Sequence, residues 1–136
     1  MSKKVLILCT GNSCRSIIAE AVINKYITGV DAMSSGVKAS GKVNPNAKKV
    51  LQNDSSWRDE YHSKTLDKVI DNHFDLVITV CDNANERCPI FPKDTKVIHI
   101  SYEDPDGKKI SAFERTLKLI KMELIPIIRI ELMDDK

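Results

Sequence analysis

The junction near the N-terminus constrains this chain more than any other feature. Val5-Leu6-Ile7-Leu8 is a continuous apolar run, the pattern of a strand buried on both faces, and it opens directly onto Cys9-Thr10-Gly11-Asn12-Ser13-Cys14-Arg15-Ser16. From about Arg15 to Thr28 the spacing turns helical, with Ile18, Val22 and Tyr26 on one face and Gly29 as a stop. Strand, tight polar loop and helix N-terminus in that order form an anion cradle. Backbone N–H groups of the loop converge inward, and the helix adds its positive end. Gly11 is expected to take the strained turn, while Asn12 tolerates left-handed backbone. Arg15 offers a planar fork for two oxygens of a phosphate-like anion. Cys9 at the base of this cradle is expected to be a thiolate near neutral pH and to act as a nucleophile without a histidine base, with Ser16 donating to its sulfur.

The remaining pattern alternates strands and helices. Ala32 to Ser35 reads as a weak strand closed by Gly36, and Asn46 to Leu51 as a short helix with Pro45 in its first turn. Gln52 to Tyr61 is polar and has no assignable element, whereas Thr65 to Ile70 reads as a short helix. Leu76 to Val80 is a central strand delivering Cys81, and Val97 to Ile100 is a fourth strand. Ser111-Ala112-Phe113-Glu114 has the form of a capping box. Phe113, Leu117, Ile120 and Leu124 follow as an apolar stripe, with Pro126 bending or ending the helix. This alternation indicates one α/β domain over residues 1–136 with a mostly parallel sheet, whose ligands sit beyond the carboxyl ends of the strands. Cys9 and Cys81 each follow a strand and can meet there.

Cys81 and Cys88 are separated by six residues rich in Asp, Asn, Glu and Arg, the composition of an exposed loop. Thiol exchange needs in-line attack of a thiolate on sulfur, so such a segment can serve as a relay, with Arg87 favouring the Cys88 thiolate. A four-cysteine zinc site competes with this reading. Zinc sites favour tighter Cys-x2-Cys knuckles, and a metal at Cys9 would occupy the nucleophile. A proton donor for a leaving oxygen is offered by Asp104, stiffened by Pro105, with Glu103 and Asp106 as neighbouring alternatives. His62, His73 and His99 are scattered and read as structural or surface residues, and Trp57 as a local packing anchor.

The 136-residue chain is 42% hydrophobic and 29% charged, with a net charge of +2, which gives no argument for nucleic acid or a membrane surface. No signal peptide or membrane span is evident, so a cytoplasmic protein is expected, where four cysteines serve catalysis, redox chemistry or metal binding.

Taken together, Cys9 to Ser16, Ala19-Glu20, Ser35-Gly36, Cys81-x6-Cys88-Pro89 and Asp104-Pro105-x-Gly107-Lys108 resemble the thioredoxin-coupled arsenate reductases, a branch of the low-molecular-weight protein tyrosine phosphatase superfamily. The resemblance implies a single-domain, three-layer α/β/α fold with a four-stranded parallel sheet. It also implies a reaction. Cys9 attacks arsenate held by the loop amides and Arg15, with phosphate or sulfate as analogues, while Asp104 protonates the departing oxygen. A Cys9–Cys81 disulfide forms as arsenite leaves, and Cys88 converts it to a Cys81–Cys88 disulfide that thioredoxin reduces. No tightly bound cofactor is implied. Some members bind potassium through residues matching Asn12, Glu20 and Ser35, and Cys14 fits the motif without a part in turnover. A monomer is expected. The first rival is a phosphotyrosine phosphatase, in which water resolves a Cys9 phosphoenzyme. Such relatives carry aromatic residues after the Asp-Pro, where this chain has Asp106-Gly107-Lys108, although weak phosphatase activity remains compatible with the cradle. The second rival is a cysteine-based metal or arsenite sensor, which leaves Arg15 and Asp104 without a purpose.

Overall fold

The computed structural model describes residues 3–81, 91 and 95–133. Four strands, β1 (Lys3–Cys9), β2 (Val30–Gly36), β3 (Leu76–Thr79) and β4 (Lys96–His99), form one sheet of order β2-β1-β3-β4. Every pairing is parallel. The chain leaves β1 toward β2 on one side and later enters β3 on the other. The two crossovers diverge at the carboxyl end of β1, which is where an open α/β sheet forms its crevice. The expected α/β architecture, with a four-stranded parallel sheet, is the one observed.

Among the described residues three helices accompany the sheet: α1 (Arg15–Tyr26), α2 (Pro45–Asn53) and α3 (Ile110–Ile128). They pack on one another, and α1 also lies against β1 and β2. Burial of α1 is continuous from Ser16 to Ile23, so the helix has no solvent stripe over that span. On α3 the stripe of Phe113, Leu117, Ile120 and Leu124 is buried as expected, and it extends to Ile128. Leu76, Val77, Ile78 and Thr79 of β3 are all inaccessible, consistent with a central strand.

Several local expectations are corrected. The Ser111 capping box does not form: Lys109 is the N-cap, Ile110 opens the helix, and no side chain caps it. Pro126 does not end α3, which runs on to Ile128 before a wider π-type turn over Arg129–Met133. Proline removes only one N–H, and its fixed φ suits a helix, so the ladder resumes with Arg129 N–H bonding to the carbonyls of Ile125 and Pro126. The helix expected over Thr65 to Ile70 is a single 3-10 turn, Leu66–Lys68. The weak second strand is in fact seven residues long. Its outer edge is covered at Ala32 by Asn24, whose Oδ1 accepts the Ala32 N–H at 2.8 Å and whose Nδ2 donates to the Ala32 carbonyl at 3.2 Å.

The polar stretch after α2 is held by long-range contacts. Trp57 stacks edge-on against Tyr61, with ring centroids 5.7 Å apart, so it is a packing anchor as expected. Asp54 closes α2 and ties it to both other helices: it accepts from Tyr26 Oη at 3.0 Å and from Lys121, and it faces Lys25 at 3.9 Å. Burial pushes the Asp54 pKa up, but hydrogen bonds from Lys121, Tyr26 and Ser56 outweigh it and hold the carboxyl below its usual range. A depressed carboxylate stabilises the fold above its unfolded pKa of about 3.9, and the contribution is lost as pH falls through the folded value. Asp54→Asn should therefore cost about 1 kcal/mol at neutral pH. In urea unfolding the gap to wild type should narrow as pH falls below about 4 and through the lower folded pKa, and a gap that stayed constant across the acid range would assign the effect to packing instead of charge.

Candidate active site

The loop from Cys9 to Cys14 is fastened from outside. The carbonyls of Cys9, Thr10, Gly11, Ser13 and Cys14 accept from the N–H groups of Val37, Lys38, Ser40, Asn44 and Ile18 at 2.9–3.0 Å. In a trans peptide the following N–H points opposite to the carbonyl. Holding the carbonyls outward therefore turns the amides of Thr10, Gly11, Asn12, Cys14 and Arg15 toward the inside of the loop, an anion-binding nest. No side chain caps α1 at Cys14, so its first-turn donors remain available at the same place.

The left-handed residue of this loop is Asn12, with φ of 52°, not Gly11. Asn12 is buried and fully bonded: Nδ2 donates to Ser16 Oγ at 2.8 Å and to Ser34 Oγ at 2.9 Å, and Oδ1 accepts the Lys64 N–H at 2.8 Å. Ser34 Oγ–H in turn donates a hydrogen bond to Glu20 Oε1 at 2.5 Å. Glu20 has its pKa raised, chiefly by burial, with the Lys64 charge and the Ser34 hydroxyl pulling against it. Beneath the loop, Gly36 leaves no space for a side chain, because a Cβ there would lie 2.5 Å from the Thr10 carbonyl oxygen.

The β1–β3 register brings the second cysteine in. Leu8 pairs with Thr79, and carrying that register forward sets Thr10 opposite Cys81. The side chains meet there, with Thr10 Oγ1 3.1 Å from Cys81 Sγ, and the Cys81 thiol also hydrogen-bonds Cys9. Cys9, Cys14 and Cys81 are free thiols and buried. The ladder continues beyond β4, with Ile100 N–H donating to Thr79 O and Tyr102 N–H to Val80 O, so the 102–106 segment arrives at the same edge. There Arg15 Nη1 donates to the Tyr102 carbonyl at 3.0 Å, and Nη2 faces Asp104 at 3.4 Å. Arg15 Nε is buried and makes no hydrogen bond among the described residues, which leaves a donor for an anion. A pocket of about 250 Å³ is lined by Cys9, the loop, Arg15, Ser40, Asp104 and Asp106.

Residues 4–134 match the model of the low molecular weight phosphotyrosine protein phosphatase family. The chain belongs to that family. Within it, the chain is similar to Arsenate reductase 1 of Bacillus cereus, 40% identical over 114 residues that cover 83% of this chain and 84% of that protein. It also superposes on an arsenate reductase from Archaeoglobus fulgidus with a TM-score of 0.78, at 30% identity over 91% of this chain and 98% of that one. A thioredoxin-dependent arsenate reductase of Corynebacterium glutamicum gives a TM-score of 0.70 at 27% identity, covering 95% of this chain and 63% of that one.

Against this phosphatase-family frame, the structure brings Cys9, Thr10 to Cys14, Arg15, Asp104 and Cys81 together, while Cys88 lies outside the described residues. Among the three neighbouring acids the geometry separates the roles. Glu103 pairs with Lys108, Asp106 accepts from Asn44, and Asp104 alone faces Arg15. Ser16 Oγ accepts from the Asn12 amide, and among the described residues no hydrogen bond from Ser16 to the Cys9 sulfur is found. Cys14 is held as a neutral thiol, its pKa raised to about 11, chiefly by burial. His62, His73 and His99 take their partners elsewhere: Glu60, Asp75 and Thr79. Ser34, Ser40 and Asn44 escaped the sequence reading. The Ser34 position was available from strand alternation, since Val30, Ala32 and Ser34 share one face.

Cys9 is the main correction. Its thiol is raised, not lowered, first by the hydrogen bond with Cys81 and then by burial; the Arg15 charge and the Thr10 N–H work in the other direction without prevailing. Two adjacent thiols ionise as a pair, and the first proton is shared between them. Cys81→Ala removes the largest of these effects. The pH midpoint for alkylation of Cys9 by iodoacetamide should move to lower pH in that variant. An unchanged midpoint would leave burial as the whole cause.

Proposed function

We propose that the protein reduces arsenate to arsenite through Cys9 and a thiol cascade coupled to thioredoxin. The observation that carries this reading is the Cys81 thiol set against the nucleophile at the floor of an oxyanion pocket, where hydrolysis alone would need only water. Arsenate binds between the loop amides and Arg15. Cys9 Sγ attacks arsenic, and Asp104 gives a proton to the departing oxygen, which leaves as water. Cys81 then attacks Cys9 Sγ. The S–S bond forms, the S–As bond breaks with its electron pair going to arsenic, and As(V) becomes As(III). Cys88 attacks Cys81, returns Cys9 as thiolate, and leaves a Cys81–Cys88 disulfide for reduction by thioredoxin's dithiol. One dithiol supplies the two electrons required.

Similarity to arsenate reductases, one of them described as thioredoxin-dependent, supports the donor; a cytoplasmic monomer is part of the same proposal. Among the described residues no helix is long and apolar enough to cross a membrane. Phosphate is nearly isosteric with arsenate, so slow phosphomonoester hydrolysis accompanies the main reaction.

The assay is arsenate-dependent NADPH oxidation with thioredoxin and its reductase. Cys9→Ser should show none. Cys88→Ser should stop after about one turnover with a Cys9–Cys81 bridge trapped, and Asp104→Asn should slow the arsenate step about 10²-fold. Sustained turnover by Cys88→Ser would falsify the cascade.

Potassium belongs to the same proposal. Asn12 and the buried Glu20 carboxylate converge on Ser34 Oγ, where a hard monovalent cation would offset the Glu20 charge, whereas the expected Ser35 is the next residue of β2 and points to the opposite face of the sheet. Potassium chloride should raise the melting temperature more than choline chloride at equal ionic strength, and equal melting would remove the ion.

A further inference from the structure

The rim of the pocket contains a linkage that the cascade leaves unused. Asn44 joins three elements. Its N–H donates to the Ser13 carbonyl at 3.0 Å, its Oδ1 caps α2 by accepting the Asn46 N–H at 2.8 Å, and its Nδ2 donates to Asp106 Oδ1 at 2.7 Å. Asp106 N–H donates in turn to Asp104 Oδ1 at 3.0 Å, while Asp104 Oδ2 faces Arg15 at 3.4 Å. Followed round, Ser13, Asn44, Asp106, Asp104 and Arg15 form a closed circuit about the pocket, with Cys9 in its lining. No aromatic side chain is among the described residues lining that pocket, so nothing there stacks on an aryl group.

We propose that the Asn44–Asp106 hydrogen bond is a clasp. It fastens the acid loop to the oxyanion loop, sets Asp104 over Cys9, and narrows the mouth to bare tetrahedral oxyanions at the expense of phosphate monoesters. The inference rests on the arsenate reading above and names what in that site selects the size of the substrate. A single hydrogen bond between exposed side chains stiffens the rim because both ends are anchored: Asn44 by the Ser13 carbonyl and the helix cap, Asp106 by its backbone bond to Asp104. Both are positioning residues, acting through Asp104 and the width of the mouth.

The test compares Asp106→Asn with Asp106→Ala. Both remove the same charge, yet only the asparagine keeps an oxygen to accept from Asn44. The values of kcat and KM are measured for thioredoxin-coupled arsenate reduction and for hydrolysis of p-nitrophenyl phosphate. Relative to Asp106→Asn, Asp106→Ala should lose about fivefold in kcat for arsenate and gain about as much in kcat/KM for the ester, the scale of one hydrogen bond. Asn44→Asp keeps a capping oxygen but meets Asp106 with like charge, so it should show the same shift in substrate ratio. Adding Asp106→Asn restores an amide–carboxylate pair at wild-type net charge and should recover the ratio. Equal ratios in the two Asp106 variants, or no recovery in the double variant, overturn the clasp. If the wild type hydrolyses the ester but reduces no arsenate, the reductase reading fails. The clasp then stands or falls on whether Asp106→Ala exceeds Asp106→Asn with the ester alone.

Discussion

The parallel pairing of β1 with β3 governs the arrangement of the pocket. Because Leu8 lies opposite Thr79, the residues that follow both strands leave the sheet side by side, and Thr10 meets Cys81 without any loop having to bring them together. The same ladder carries the chain past Ile100 and Tyr102, so the acid-bearing segment is delivered to the edge where Arg15 starts its helix. Slipping this register by one residue would turn the buried side chains of β3 to the opposite face of the sheet. With Leu6, Ile7, Val77 and Ile78 all inaccessible, such a slip is strongly opposed by the core. The position of the two sulfurs is thus fixed by packing several residues away from them.

The loop itself depends on a second device. Its amides converge because its carbonyls are taken by Val37, Lys38, Ser40 and Asn44, residues that follow β2. Asn12 completes the arrangement from within, spanning Ser16, Ser34 and Lys64. The charge balance is then set by what approaches Cys9. With Cys81 hydrogen-bonded to it and Arg15 also turned to Tyr102 and Asp104, the pKa of the thiol is raised.

Much of this was legible in the residues because the signals are local. An apolar run ending in Cys9, helical spacing after Arg15, and the β-branched stretch before Cys81 each state their own conformation. The misreadings arose where a local pattern was overruled or silent. Ser111 and Glu114 have capping-box spacing, but the cap falls two residues earlier, on Lys109, and the helix begins at Ile110. Asn12 takes the left-handed backbone it was read as tolerating, but its residue type alone could not name the three partners its side chain reaches, Ser16, Ser34 and Lys64. Gln52 to Tyr61 had no periodicity because its anchors lie far along the chain: Asp54 on Lys121, and Tyr61 on Asn24. Asn44 went unread even as the cap of α2, and only the fold places its amide against Asp106.

The contact beneath the loop has a mechanical consequence. Gly36 ends β2, and its α-carbon lies so near the Thr10 carbonyl that even a methyl group would not fit. Floor and sheet edge are therefore in direct backbone contact, with no compressible side chain between them. Shear of β2 along β1 cannot be absorbed locally and is passed straight to the anion cradle. The cradle inherits the stiffness of the sheet and should open to solvent exchange only together with it.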